Sequence, residues 1–153
     1  MHTYRATLKW TGNLGRGTAD YRAYARDHEI AGEGKQIAIP CSSDPKFRGD
    51  RSRYNPEELL VGSLSACHML WMLHLCAREG IVVTAYEEDA EGTMIEHPDG
   101  SGEFTSVTLR PRLTITDEAR AADTNRLHEE AHRLCFIARS VNFDVRCEPM
   151  VMP

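Results

Sequence analysis

Residues 55–76 read Asn-Pro-Glu-Glu-Leu-Leu-Val-Gly-Ser-Leu-Ser-Ala-Cys-His-Met-Leu-Trp-Met-Leu-His-Leu-Cys, and this run constrains the fold more than any other part of the chain. It opens with the signals of a helix N-terminus. Asn55 suits the N-cap, Pro56 suits the first helical position, and Glu58 can return a bond to the cap. The run is almost wholly apolar until Ala77-Arg78-Glu79, where Gly80 supplies a stop. Such a helix either crosses a membrane or forms the spine of a core. Its length is near the lower limit for a span, and His68, His74 and its small residues favour the core. Cys67 sits in its middle. A thiol there is either inert packing or a protected reactive group.

The flanking sequence alternates like strands. Residues 3–11 and 18–26 alternate on either side of Gly12-Asn-Leu-Gly15-Arg-Gly17, which predicts a β-hairpin. A turn at Gly32-Glu-Gly-Lys precedes a short strand at 36–40, and residues 42–54 form a polar, cation-rich loop. Beyond the helix, residues 81–94 and 103–115 read as strands joined by the turn His97-Pro-Asp-Gly-Ser-Gly102. Asp117 or Thr116 caps a second, more exposed helix to about Leu134, with Ala121, Leu127, Ala131 and Leu134 as its apolar positions. Cys135 begins a short helical turn, and 141–147 is a last strand. The order β-β-β-α-β-β-α-β is an α+β pattern with antiparallel runs of strands. With 153 residues, no repeat and no linker, the chain reads as a single domain spanning 1–153.

Charge and cysteine usage narrow the function classes. A net charge of -5 argues against a nucleic-acid partner, which selects basic faces. There is no basic helix or polybasic tail for a membrane surface, and Met1-His-Thr-Tyr-Arg has no apolar signal core. The five cysteines Cys41, Cys67, Cys76, Cys135 and Cys147 are odd in number and sparse. They point to a reducing cytoplasm, where a disulfide would be transient and catalytic.

Several side chains are candidates for chemistry. Cys67 and Cys76 are nine residues apart, two and a half turns, so they face different sides of the helix. Cys135 stands where a helix N-terminus would lower a thiol pKa, although Phe136 and Ile137 beside it look like core. His128, His132 and Cys135, at i, i+4 and i+7, share a helical face and a spacing that can hold a metal, but no fourth ligand is evident. Solvated surface histidines are the competing reading. His68 and His74 read as core-edge residues, and Ser63 and Ser65 as small residues for close packing. No nucleophile elbow or nucleotide-binding loop is present.

The motif Asn55-Pro-Glu-Glu-Leu-Leu, then Ser65-Ala-Cys67, then a second cysteine about seventy residues later, resembles the OsmC/Ohr family. These are the osmotically induced and organic-hydroperoxide-resistance proteins. The resemblance covers most of the chain and is to an OsmC-like subgroup rather than a typical Ohr. It implies an OsmC-like fold, with antiparallel sheets around a long central helix, and an intertwined homodimer with active sites at the interface. It implies a thiol peroxidase in which Cys67 is peroxidatic and Cys135 resolves the sulfenic acid. Glu57 and an upstream arginine would hold and activate the thiolate. Arg48, in Phe47-Arg48-Gly49, fits that place best, against Lys46, Arg51 and Arg53 in the same loop and Arg16 in the first turn. Organic hydroperoxide would be the substrate, and a lipoylated or thioredoxin-like dithiol the reductant. Neither metal nor organic cofactor is required.

Leu64, Met69, Leu70, Trp71 or the tyrosines would line the pocket. Glu57 lies ten residues before Cys67, roughly 15 Å along one helix, so it would act through a long arginine or from the partner subunit. The small patch Gly62-Ser63 and Ser65-Ala66 would let two such helices pack closely. The competing functional readings are an OsmC-like domain that binds a small apolar ligand or senses redox state, and a metal protein using His128, His132 and Cys135.

Overall fold

The apolar run becomes one uninterrupted helix, α1, from Pro56 to Arg78. Both of its ends are closed by the residues that announce them. In this computed structural model, which describes residues 1–152, Asn55 Oδ1 accepts from the Glu58 amide at 2.8 Å. The Asn55 amide donates to Glu58 Oε2 at 3.0 Å. This reciprocal pair satisfies two amides that the helix cannot satisfy internally. At the other end Gly80 takes φ +71°. Its amide donates to the Ala77 carbonyl at 3.2 Å, while that of Ile81 donates to Cys76 at 2.8 Å. These are the two bonds of a Schellman motif, and only glycine adopts its left-handed step without strain.

The chain divides into two compact units, Met1–Leu59 and the residues from Leu60 onward. The first holds an antiparallel sheet of β1 (Thr7–Trp10), β2 (His28–Ala31) and β3 (Ile39–Cys41), in that order. The hairpin partner of β1 is therefore β2, not residues 18–26. Local bonds take that segment out of strand geometry. The Asn13 side chain accepts from the amides of Gly15 and Gly17. The Arg26 guanidinium lies 4.4 and 3.9 Å from the ring centroids of Tyr21 and Tyr24 and donates to both of their carbonyls. The aromatic alternation thus belongs to a loop folded over one cation. Gly12 is needed where this loop leaves β1, since a Cβ there would lie 1.9 Å from the Ala25 carbonyl oxygen.

In the second unit β4 (Val83–Glu96) and β5 (Gly102–Ile115) form a long hairpin. β5 alternates strictly, burying Val107, Leu109, Pro111, Leu113 and Ile115. α2 (Ala121–Leu134) follows a 3-10 turn capped by Asp117, whose side chain accepts from the Ala119 amide. α2 buries Thr124, Leu127, His128 and Ala131, the i, i+3, i+4, i+7 stripe of a helix packed on one face. The chain returns as two short strands, β6 (Asp144–Cys147) and β7 (Met150–Met152), both parallel to β5. The sheet is therefore mixed, and the single last strand expected at 141–147 is two.

Pro111 explains the break between them. The Leu109 carbonyl accepts from the Glu148 amide at 2.8 Å on that edge. Two residues on, the amide facing the same edge is the one proline lacks. β6 pairs with 106–109, β7 pairs with 112–114, and the ladder is interrupted at 110–111.

The core of this unit is two apolar clusters. One gathers Met72, Leu75, Ile81, Leu113 and Leu127, and the other Leu64, Val107, Leu109 and Val145. On α1, His68 falls between Leu64 of one cluster and Met72 of the other.

Capping makes a direct prediction. Asn55→Ala removes one member of the reciprocal pair and should cost about 1 kcal/mol of unfolding free energy. Gly80→Ala forces a left-handed alanine and should cost about 1–2 kcal/mol. Urea denaturation of each variant measures both.

Candidate active site

α1 carries two stripes in the second unit. Leu64, His68, Met72 and Leu75 are sealed in the core. About a third of a turn around the helix, Cys67, Leu70, Trp71 and His74 follow the i, i+3, i+4, i+7 spacing of a second face. This face borders an open pocket of about 320 Å³, completed by Phe136 from the segment after α2. Trp71 is its centre, meeting Phe136 edge-on at 5.8 Å between ring centroids and His74 in the same manner at 5.8 Å. Of the lining residues expected from sequence, Leu70 and Trp71 are present. Leu64 is turned instead into the core at 0 % exposure, and Met69 and the tyrosines do not line the pocket.

Cys135 is buried at the C-cap of α2. Its sulfur accepts from the Ala138 amide at 3.4 Å. Its thiol lies close enough to Cys67 for the two to interact, and both are free. Burial pushes the Cys135 thiol up to about 11, and the neighbouring Cys67 adds to this. The expectation of a lowered pKa is thus overturned. Cys135 ends α2 and also opens the next turn, its carbonyl accepting from the Arg139 amide at 3.1 Å, but the amides it meets do not offset its desolvation.

The other two expected site residues belong to the N-terminal unit. Arg48 is exposed and closes a 3-10 turn (Pro45–Phe47) with φ +65°. Glu57 stands half-buried in the first turn of α1. Among the competing cations, Arg53 is engaged by Asp27 at 3.4 Å and reaches the Cys41 carbonyl at 3.5 Å. Arg16 and Arg51 are exposed.

The trio His128, His132 and Cys135 does not assemble. His132 is exposed, Cys135 turns to Cys67, and His128 points into the core. There His128 Nδ1 and His68 Nε2 share a hydrogen bond of 2.9 Å, with the ring planes 6° apart. The Cys147 sulfur lies 3.6 Å from His68 Nε2 and 3.8 Å from His128 Nδ1. Burial lowers the His68 pKa to about 4, assisted by nearby His132, and that of His128 to about 3, assisted by His68. Burial, then the carboxylates of Glu88 and Glu148, raise the Cys147 thiol to about 12. The sequence reading missed this group. The signal was the i, i+4, i+8 spacing of Leu64, His68 and Met72, which places His68 on the buried stripe.

The OsmC-like protein family model matches residues 49–149, about two thirds of the chain. The chain belongs to the OsmC-like protein family. An OsmC-like protein of unknown function from Vibrio cholerae has the same fold, with TM-score 0.88 and 29% identity, covering 97% of this chain and 99% of that one. An organic hydroperoxide resistance protein OsmC from Legionella pneumophila superposes with TM-score 0.68 at 16% identity over 100% of both chains. The uncharacterized protein YmaD of Bacillus subtilis is 23% identical over 115 residues, 73% of each chain. One stripe of α1 packs into the core, and the helix is also long and apolar enough to cross a membrane.

The buried histidines make stability acid-sensitive. Below the ordinary value of 6.5 the unfolded chain takes up protons that folded His68 and His128 refuse down to about 4 and about 3. Stability is therefore full above 6.5 and falls through that window. The expected slope is up to about 1.4 kcal/mol per pH unit for each histidine. Urea titrations across the window should show it, with a shallower slope in His128→Gln.

Proposed function

We propose that this chain is a thiol-dependent peroxidase that reduces organic hydroperoxides, with Cys67 as the peroxidatic sulfur and Cys135 as the resolving one. The observation that carries the reading is Cys67 at the wall of an apolar pocket with the Cys135 thiol against it. Burial raises the pKa of Cys41, Cys76, Cys135 and Cys147 alike. Cys67 is the cysteine that borders the aromatic-lined pocket. Organic hydroperoxide resistance proteins that share this fold support the same chemistry.

The thiolate of Cys67 attacks the distal oxygen of ROOH. The O–O bond breaks, ROH leaves after taking a proton, and Cys67 becomes a sulfenic acid. The Cys135 thiol then displaces water from that sulfenic acid and forms the Cys67–Cys135 disulfide. A dithiol, such as a lipoylated or thioredoxin-like protein, returns both sulfurs to thiols. Cys135 holds its proton until the sulfenic acid forms, which suits a resolving thiol. Leu70, Trp71 and Phe136 favour an organic R group over hydrogen peroxide. The resemblance to the family carries Arg48 and Glu57 into this reading as the pair that would stabilise the thiolate.

The active form is a homodimer. Leu70 and Phe136 are 62% and 66% exposed beside the reactive sulfur, a costly apolar surface for a lone chain and a natural one to cover with a second copy. Five free cysteines fit a cytoplasmic protein.

With cumene hydroperoxide and a dithiol reductant, Cys67→Ser should reduce turnover to background. Undiminished turnover in that variant would refute the assignment. Cys135→Ser should still consume one equivalent of peroxide, then stall as a sulfenic acid that mass spectrometry detects. Light scattering should find a dimer, and a fully active monomer would overturn that part of the reading.

A further inference from the structure

The peroxidase reading leaves His68, His128 and Cys147 without a role. They come from α1, α2 and β6, so three separately packed elements deliver them to one point. His68 Nε2, His128 Nδ1 and Cys147 Sγ all lie within 4.8 Å of one another. A triangle with sides of 2.9, 3.6 and 3.8 Å has its equidistant point about 2.0 Å from each corner. Zinc bonds nitrogen at roughly 2.0–2.1 Å and thiolate sulfur at roughly 2.3 Å. In a tetrahedral zinc site the N···S separations would be roughly 3.6 Å and the N···N separation roughly 3.3 Å. Both N···S distances are already there, and the imidazoles need to part by only a few tenths of an ångström.

We propose that His68, His128 and Cys147 form a binding site for a divalent zinc-like ion, separate from the Cys67–Cys135 pair.

Two imidazoles and one thiolate are a borderline-soft donor set, which selects zinc over magnesium or calcium. A fourth position is open. A cavity of about 460 Å³ reaches His128 and Cys147 from the surface, with His132 and Glu129 in its walls. Either of these side chains or a water can complete the shell, the arrangement of three protein ligands and one exchangeable one. Glu88 interacts electrostatically with Cys147 and has one carboxylate oxygen, Oε1, with no hydrogen-bond partner among the described residues. Its negative charge would offset the excess positive charge of an ion bound by a single thiolate.

The proton balance is explicit. Both imidazoles are neutral, and the one donating in the present His68–His128 bond moves its proton to its other ring nitrogen and leaves a lone pair for the ion. The Cys147 S–H proton is lost to solvent. Binding one ion thus releases one proton, and no oxidant or reductant takes part.

Cobalt(II) is the test probe, because thiolate ligation gives it a near-ultraviolet charge-transfer band and tetrahedral geometry gives it intense visible bands. Untagged protein, reduced and freed of metal, should bind one equivalent of cobalt with both sets of bands. Equimolar zinc should bleach them, and titration in lightly buffered solution should release one proton per ion. Cys147→Ser should lose the charge-transfer band, and His128→Gln should weaken binding at least tenfold, with circular dichroism confirming that each is folded. The double variant Cys67→Ser, Cys135→Ser should bind as the parent does. Absence of the bands in the parent protein overturns the proposal. So does their persistence in Cys147→Ser with loss in the Cys67/Cys135 variant, which would place the ion on the other thiols.

Discussion

The burial of one stripe of α1 against the inward face of β5 is the contact on which the C-terminal unit depends. Leu64, Met72 and Leu75 are fully buried, and Val107, Leu109 and Leu113 meet them in the same two clusters. Each such side chain contributes about 1.5–3 kcal/mol on leaving water. A buried hydrogen bond contributes about 1 kcal/mol net. The apolar flanks therefore hold the helix in place, and the His68–His128 bond mainly avoids the cost of stranding two buried imidazoles. That cost, about 1–3 kcal/mol for one unpaired group, makes the pair an all-or-none feature of this core.

Once that stripe is fixed, the position of Cys67 follows. A residue adjacent to buried His68 must point about 100° away around the helix, toward the edge of the packed face. The same rotation brings Leu70, Trp71 and His74 alongside it. α2 closes the arrangement from the other side. Packing Leu127 and Ala131 into the core sets the end of that helix at Cys135, where the buried thiol meets Cys67. The two sulfurs are 68 positions apart in sequence and are brought together by the same apolar contacts that make the core.

These dependencies explain what was legible in the sequence. α1 was readable to within a residue at both ends, because its start and stop are local: a capping pair three residues apart and a glycine with a positive φ. The β4–β5 hairpin and α2 were readable from turn residues and periodicity. The false strand at 18–26 has an equally local pattern, but a side-chain cation, Arg26, competes for its backbone carbonyls. A last strand was readable, but not its parallel direction or its division into β6 and β7, since the direction depends on where the α2 crossover returns and the separation on a missing amide in another strand. At the site, the Asn55-Pro-Glu to Cys67 motif singled out the thiol, but the exposed or buried state of His128 depends on packing and was misread from spacing alone.

The two proposed roles would have one helix keep two kinds of sulfur chemistry apart, at Cys67 and beside His68. Peroxide reduction needs a sulfur that can ionise and a channel for substrate. Cys147 lacks the first: burial and the nearby carboxylates of Glu88 and Glu148 push its thiol up to about 12. A cation is what would reverse that preference, because a bound ion stabilises the thiolate far more than neighbouring carboxylates oppose it. An alkyl hydroperoxide is uncharged and offers no such stabilisation, so it gains nothing at Cys147. The apolar face around Cys67 has the opposite bias. It suits the organic hydroperoxide of the proposed reaction and has no imidazole pair to chelate an ion. In the two proposed roles, the 100° step between neighbouring residues on α1 would separate a substrate-facing thiol from an ion-facing imidazole without a second domain.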